Sequence, residues 1–183
     1  MTYKQELKYM SYYRTRTYVA GDWDGDKNLI EKLYQWNESE CWSLCFSDAH
    51  SLMQSRDTSL PCSIKKSLAE RMSASKTLLL VVGENTDSIK KGSCQYCDSY
   101  NGWTHSCAKG HSIDYRSYIH YECEKAQKDG LNIIVVYNYE VIVRSKCPGA
   151  VRYIGDHING YYKGDDGIYY WNYDEIKKAI EKY

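Results

Sequence analysis

The sequence holds a single phenylalanine and two prolines, and its 24 basic and 24 acidic residues cancel to zero net charge. A balanced chain has no electrostatic footprint for nucleic acid and no polybasic face for a membrane surface, so neither is expected as a partner. No apolar run approaches the roughly 20 residues that a membrane-spanning helix requires. Residues 1–13 are polar and aromatic and contain no secretory apolar segment, which leads to the expectation of a cytoplasmic protein. Proline- and serine-rich linkers, low-complexity tracts and internal repeats are missing as well. The 183 residues are therefore expected to form one domain, long enough for a single buried core. There is no Gly-x-Gly-x-x-Gly fingerprint and no phosphate-loop lysine motif. A lysine–threonine pair at the expected strand ends is also missing, which weakens a phosphoacceptor reading built on Asp22 and Asp48.

Twenty tyrosines and eight cysteines stand out against these absences. Without an export signal, the cysteines read as reduced thiols or metal ligands more readily than as a disulfide framework. The tyrosines suit half-buried surfaces and protein interfaces, or stand in for phenylalanine in amphipathic roles.

The hydrophobic pattern alternates strands with helices. Residues 16–21 form a β-prone run closed by a turn cluster, and Asp26 is placed to cap a helix over residues 27–36. Residues 41–46 read as a second short strand and residues 63–73 as a second helix. Residues 77–82 and 133–137 are continuous apolar runs, as expected of parallel strands covered on both faces. A helix over residues 116–128 ends at Gly130, residues 168–171 suggest a last strand, and residues 173–183 a terminal helix opened by Asp174. This pattern predicts an α/β doubly wound parallel sheet, in which ligands gather beyond the carboxyl ends of the strands. Asp22, Asp24, Asp48 and Asn85 are expected near that rim.

Four segments can carry chemistry. Gly21 and Gly25 let the backbone of residues 21–26 approach a ligand near a helix start, although the same segment also reads as a solvated turn. Asp48 and His50 at a strand end are either an acid/base pair or ordinary surface residues. Glu122 and Glu124 differ by two positions, so on a helix they point about 200° apart and cannot act as a dyad. One faces solvent and the other the sheet, with Ile119 and Cys123 on the packing stripe. Finally, Cys94-x2-Cys97 and Cys107-x3-His111, with His105 nearby, have the spacing of a closed tetrahedral structural zinc site. Free thiols or a disulfide remain the alternative.

Taken in order, residues 16–33, Phe46-Ser47-Asp48-Ala49, Leu78 through Thr86, and Tyr118-Ile119-x-Tyr121-Glu122 followed by Ile133-Ile134-Val135-Val136 resemble the TIR-like domain of bacterial Thoeris anti-phage proteins. The resemblance spans about residues 14–140. It implies a flavodoxin-like fold, from which the chain departs by an insertion at about residues 89–114 and a C-terminal extension over about residues 147–183. It also implies an activity that consumes NAD, releases nicotinamide and makes a cyclic or conjugated ADP-ribose signal. Glu122 then matches the family's catalytic glutamate. Gly21, Asp22 and Trp23 would line the NAD site, with Asp48, Asn85 and Tyr118 as further contacts. A homo-oligomer and a separate effector protein are the partners expected from this resemblance. The rival expectation is a non-catalytic adaptor that signals by self-association.

Overall fold

A computed structural model describes residues 16–48 and 60–183 of the chain. Four strands, β1 (Arg16–Ala20), β2 (Ser75–Val82), β5 (Asn132–Tyr137) and β6 (Asp156–Asn159), form a parallel sheet in the order β1-β2-β5-β6. The register runs without a break from Thr77 opposite Asn132 to Val82 opposite Tyr137.

Alternation along the strands explains why helices cover both faces. Tyr18, Leu78, Leu80, Val82, Ile133, Val135 and Tyr137 point to one face. There they meet α2 (Pro61–Ser73) and α3 (Tyr118–Lys128) through Leu68, Met72, Ile119, Cys123 and Ala126. Val19, Leu79, Val81, Ile134 and Val136 point to the other face and meet α1 (Lys27–Glu38) and α4 (Tyr173–Glu181) through Leu29, Ile30, Leu33 and Ile176. Each fully buried leucine or isoleucine in this sandwich contributes about 2 kcal/mol of transfer free energy. Glycine 130, with φ +68°, closes α3 as the pattern predicted, because a left-handed residue ends the helix.

The expected strand at residues 41–46 does not form. The chain instead makes one parallel bridge, Thr17 with Asp48, and the Thr17 amide donates to the Ser47 carbonyl at 2.9 Å. Its side chains Leu44 and Phe46 are buried against α1, so tertiary packing and not a ladder uses the apolar residues. That bridge lies on the outer side of β1 and gives the chain order 2-1-3-4-5 of a flavodoxin-like sheet. The segment at 168–171 is also not the last strand of the main sheet. Tyr169–Trp171 (β8) pairs antiparallel with Tyr161–Lys163 (β7) in a separate hairpin. The main sheet instead ends with β6, where Ile158 alone is a buried apolar residue.

The segment between β2 and α3 carries a small hairpin, β3 (Tyr100–Asn101) with β4 (Ser106–Cys107). Its two ends are pinned: the Tyr118 amide donates to the Lys91 carbonyl at 2.9 Å, and the Cys94 amide to the Asp114 carbonyl at 3.0 Å. Lys65 of α2, almost wholly buried, donates from Nζ to the Arg116 carbonyl at 2.7 Å and holds this segment against the body. Among the described residues, no helix is long and apolar enough to cross a membrane.

Candidate functional site

The carboxyl ends of β1, β2 and β5 meet at Asp26. Its carboxylate is buried and accepts a hydrogen bond from Asn138 Nδ2 at 2.9 Å. Gly83 lies so close that a Cβ there would stand 1.7 Å from Asp26 Oδ1, and the Gly83 amide donates to Thr86 Oγ1 at 2.8 Å. Asp26 was expected as a side-chain cap of α1, but it makes no cap hydrogen bond. It is a latch between three strand ends, a role that depends on residues far away in sequence. Burial raises its pKa, with bonds from Asn138 and Thr86 opposing.

The neighbouring loop residues are largely committed to their own turn. Asp22 accepts from the Asp24 amide at 3.3 Å, and its carbonyl accepts from the Asp26 amide at 2.7 Å. Gly21 is a packing glycine, since a Cβ would meet Val81 at 3.2 Å and Ile30 at 3.3 Å. Trp23 is exposed, with its ring 5.8 Å from that of Tyr34, and the Tyr34 hydroxyl donates to Asp48 Oδ2 at 2.6 Å. Asp48 therefore lies beside the start of β1 and not at the rim with Asp22 and Asn85, because the single bridge registers it with Thr17. Asn85 is an exposed turn residue whose carbonyl accepts from the Ser88 and Ile89 amides, each at 2.9 Å. His50 lies outside the described residues.

Glu122 occupies the opposite face of the sheet. Ser117 caps α3, accepting from the His120 amide at 3.2 Å, and Glu122 lies one turn further on, 6 % exposed. Glu124 is exposed and pairs with Arg116, so the two glutamates diverge as their spacing requires. The Tyr18 hydroxyl donates to Glu122 Oε1 at 2.5 Å. Burial and the Glu122 charge push the Tyr18 phenol well above its ordinary range, so it remains a donor. The positive charge of Arg71 lowers that value and the negative charge of Asp48 raises it, both less than burial and Glu122 do. Arg71 was missed from the sequence. Arg71 as a whole is 6 % exposed, and its Nε and Nη2 have no hydrogen-bond partner among the described residues.

Tyr118 opens α3 and packs its ring over Gly92, where a Cβ would stand 2.4 Å from Cδ1. Its phenol is pushed up to about 12, chiefly by burial, with Cys97, Cys62 and Cys94 adding to the effect. Tyr118 thus faces the cysteine-bearing segment. His120 bridges Ser117 Oγ at 2.7 Å and Asp87 Oδ1 at 3.2 Å, and Arg152 holds the other oxygen of Asp87 at 3.0 Å. His105 is engaged by the Tyr100 hydroxyl at 2.9 Å. Cys94, Cys97, Cys107 and His111 border one small cavity. Among the described residues, no three histidine, cysteine, aspartate or glutamate side chains are gathered for a metal ion.

Residues 9–91 match the model of the Thoeris protein ThsB TIR-like domain. The parallel four-stranded sheet with helices on both faces is the flavodoxin-like architecture that such a domain requires. The match contains β1, the Asp48 bridge, α2 and β2, and ends before Tyr118 and Glu122. No curated protein matches the chain. That similarity supports a part in anti-phage defence signalling.

Proposed function

We propose that this TIR-like domain cleaves NAD at the bond between nicotinamide and ribose, releasing nicotinamide and a cyclic or conjugated ADP-ribose signal in defence against phage. The observation that carries this reading is the Glu122 carboxylate, buried on α3 and held by the Tyr18 hydroxyl at 2.5 Å. When the bond breaks, its electron pair leaves with the ring nitrogen, and the cationic nicotinamide becomes neutral. The leaving group needs no proton, so one carboxylate suffices where ordinary glycoside cleavage needs two. Glu122 stabilises the oxocarbenium-like ribose by charge and by hydrogen bonding to its hydroxyls. The ribose carbon then takes a nucleophile, which loses a proton as the new bond forms.

Tyr18 fixes the carboxylate, and the buried Arg71 offers the N–H groups of its Nε and Nη2 to a phosphate of the dinucleotide. At 6 % exposure Glu122 meets a ribose only after a local opening of the fold. Low basal turnover and activation by assembly accord with that burial, and a separate effector protein would read the product.

Glu122→Gln keeps the shape and the Tyr18 bond while removing the charge. Nicotinamide release from NAD is expected to fall by about 10²–10³-fold, while Glu124→Gln on the exposed side of the same helix retains the parent rate. Equal rates in Glu122→Gln and parent would remove Glu122 from the mechanism. The exposed tyrosines of the β7–β8 hairpin, Tyr162, Tyr169 and Tyr170, favour a second reading, an adaptor acting through self-association. Light scattering that rises with concentration in a protein that releases no nicotinamide is its signature.

A further inference from the structure

We infer that Cys94, Cys97, Cys107 and His111 form a structural zinc site that orders the segment between β2 and α3. This inference does not depend on NAD cleavage. All four residues border one cavity of about 10 Å³, with Cys62 of α2 as a fifth neighbour. That space fits a single water or ion. Half of the residues lining it carry sulfur or imidazole, the donors that zinc takes.

The backbone delivers the ligands in two pairs. A 3₁₀ turn over Cys94–Tyr96 closes with the Cys97 amide on the Cys94 carbonyl at 3.1 Å, which brings the first two cysteines together. A second turn closes with the Gly110 amide on the Cys107 carbonyl at 2.9 Å, and Gly110 takes φ +73° to bring His111 back. The β3–β4 hairpin joins the two turns. Tyr100 pairs with Cys107, its amide bonds the Cys97 carbonyl at 2.9 Å, and the Ala108 amide bonds the Ser99 carbonyl at 2.8 Å. Both ligand-bearing turns therefore stand at the open end of one hairpin.

The surroundings favour sulfur as an acceptor. The Asp114 amide donates to Cys94 Sγ at 3.3 Å. Lys65, buried beside this return, donates to the Asp114 carbonyl at 3.2 Å and to the Arg116 carbonyl at 2.7 Å. A zinc ion bound by three thiolates and a neutral imidazole carries one net negative charge, which Lys65 offsets. Away from its pinned ends the segment is open to solvent: Trp103 is 97 % exposed and Tyr96 is 67 % exposed. In the structure the donors have not converged. A change of χ1 rotamer moves a sulfur by roughly 3 Å, enough to turn a cysteine at the cavity wall inward. Binding releases three thiol protons to solvent and leaves zinc in the +2 state, with bonds of about 2.3 Å to sulfur and about 2.0 Å to nitrogen.

The test is elemental analysis of the reduced full-length chain, purified from zinc-containing medium, together with thiol titration and hydrogen exchange. About one zinc per chain is expected. Cys94→Ser and Cys107→Ser should lose it, while His111→Cys and Cys62→Ser should keep it. Chelation should speed amide exchange over residues 94–111 by at least tenfold and leave β2 and β5 protected, which separates loss of metal from loss of the fold. Three results would overturn the inference. One is a fully reduced parent that holds no zinc and shows no change in exchange when zinc is added; another is zinc retained in Cys107→Ser. The third is zinc lost in Cys62→Ser but kept in His111→Ala, which would give His111's place to Cys62.

Discussion

Asp114 lies where the segment after β2 returns to α3, and replacing it with asparagine tests what holds the return in place. Burial by itself would raise this carboxyl's pKa. Arg116 overrides burial, donating from Nε at 2.9 Å, from Nη2 at 2.7 Å and from its own amide at 3.0 Å, with Lys65 Nζ at 3.3 Å as a further cation. The pKa is held at about 2 against an ordinary 3.8. At 1.36 kcal/mol per pH unit that gap corresponds to roughly 2.4 kcal/mol, and screening at a side chain 23 % exposed trims it to about 2 kcal/mol. A depressed folded-state value means that the stabilisation is present above pH 3.8 and is lost as pH falls toward 2. Asp114→Asn is therefore expected to lower the unfolding free energy by about 2 kcal/mol at neutral pH, equivalent to about 4–8 °C in Tm. Leaving Lys65 buried without its counter-ion adds to the loss. Urea denaturation across pH 7, 4 and 2 reads both the size and the sign, because the two proteins should converge at the acid end. Glu124→Gln, which removes only the exposed partner of Arg116, should cost under about 1 kcal/mol. Parity of Asp114→Asn with the parent at pH 7, or a gap that stays constant down to pH 2, would refute this account of the clamp.

Two further outcomes concern the Asp26 latch. Gly83→Ala drives a methyl group into Asp26 Oδ1 and breaks its bond to Asn138, with an expected loss of about 2–4 kcal/mol in chemical denaturation. Adding Asp26→Ala should recover part of that loss, and simple additivity of the two changes would count against the clash. Asp26 has a raised folded-state pKa, so its contribution to stability is greatest in acid and declines as pH climbs above 3.8 through the folded-state value. Asp26→Asn should flatten that decline in a pH series of unfolding free energies, and an unchanged slope would show that Asp26 is not its source.

The apolar runs of β2 and β5 were legible in the sequence because strands buried on both faces carry hydrophobic residues without a break. The divergence of Glu122 and Glu124 was equally legible from the helical repeat. Other features were not. β6, Asp-His-Ile-Asn, has almost no hydrophobic signal and is a strand because it pairs with the edge of β5. Residues 41–46 are apolar enough for a strand, yet they spend that character on α1. Asp26 looked like a helix cap because its true partners, Gly83, Thr86 and Asn138, lie on other strands' ends. Arg71 gave no signal at all, since its spacing on α2 is that of an ordinary surface arginine. Its burial shows only once α2 packs on the sheet.

The hydrogen bond between the Tyr118 amide and the Lys91 carbonyl has a structural consequence of its own. It joins the two feet of the excursion, so residues 92–117 leave and rejoin the body through one fixed doorway. Lengthening, trimming or exchanging the hairpin beyond that doorway need not disturb the helix that carries Glu122. Outside Asp114, Arg116 and Ser117, which fasten its return, the arm is an accessory mounted on a finished domain.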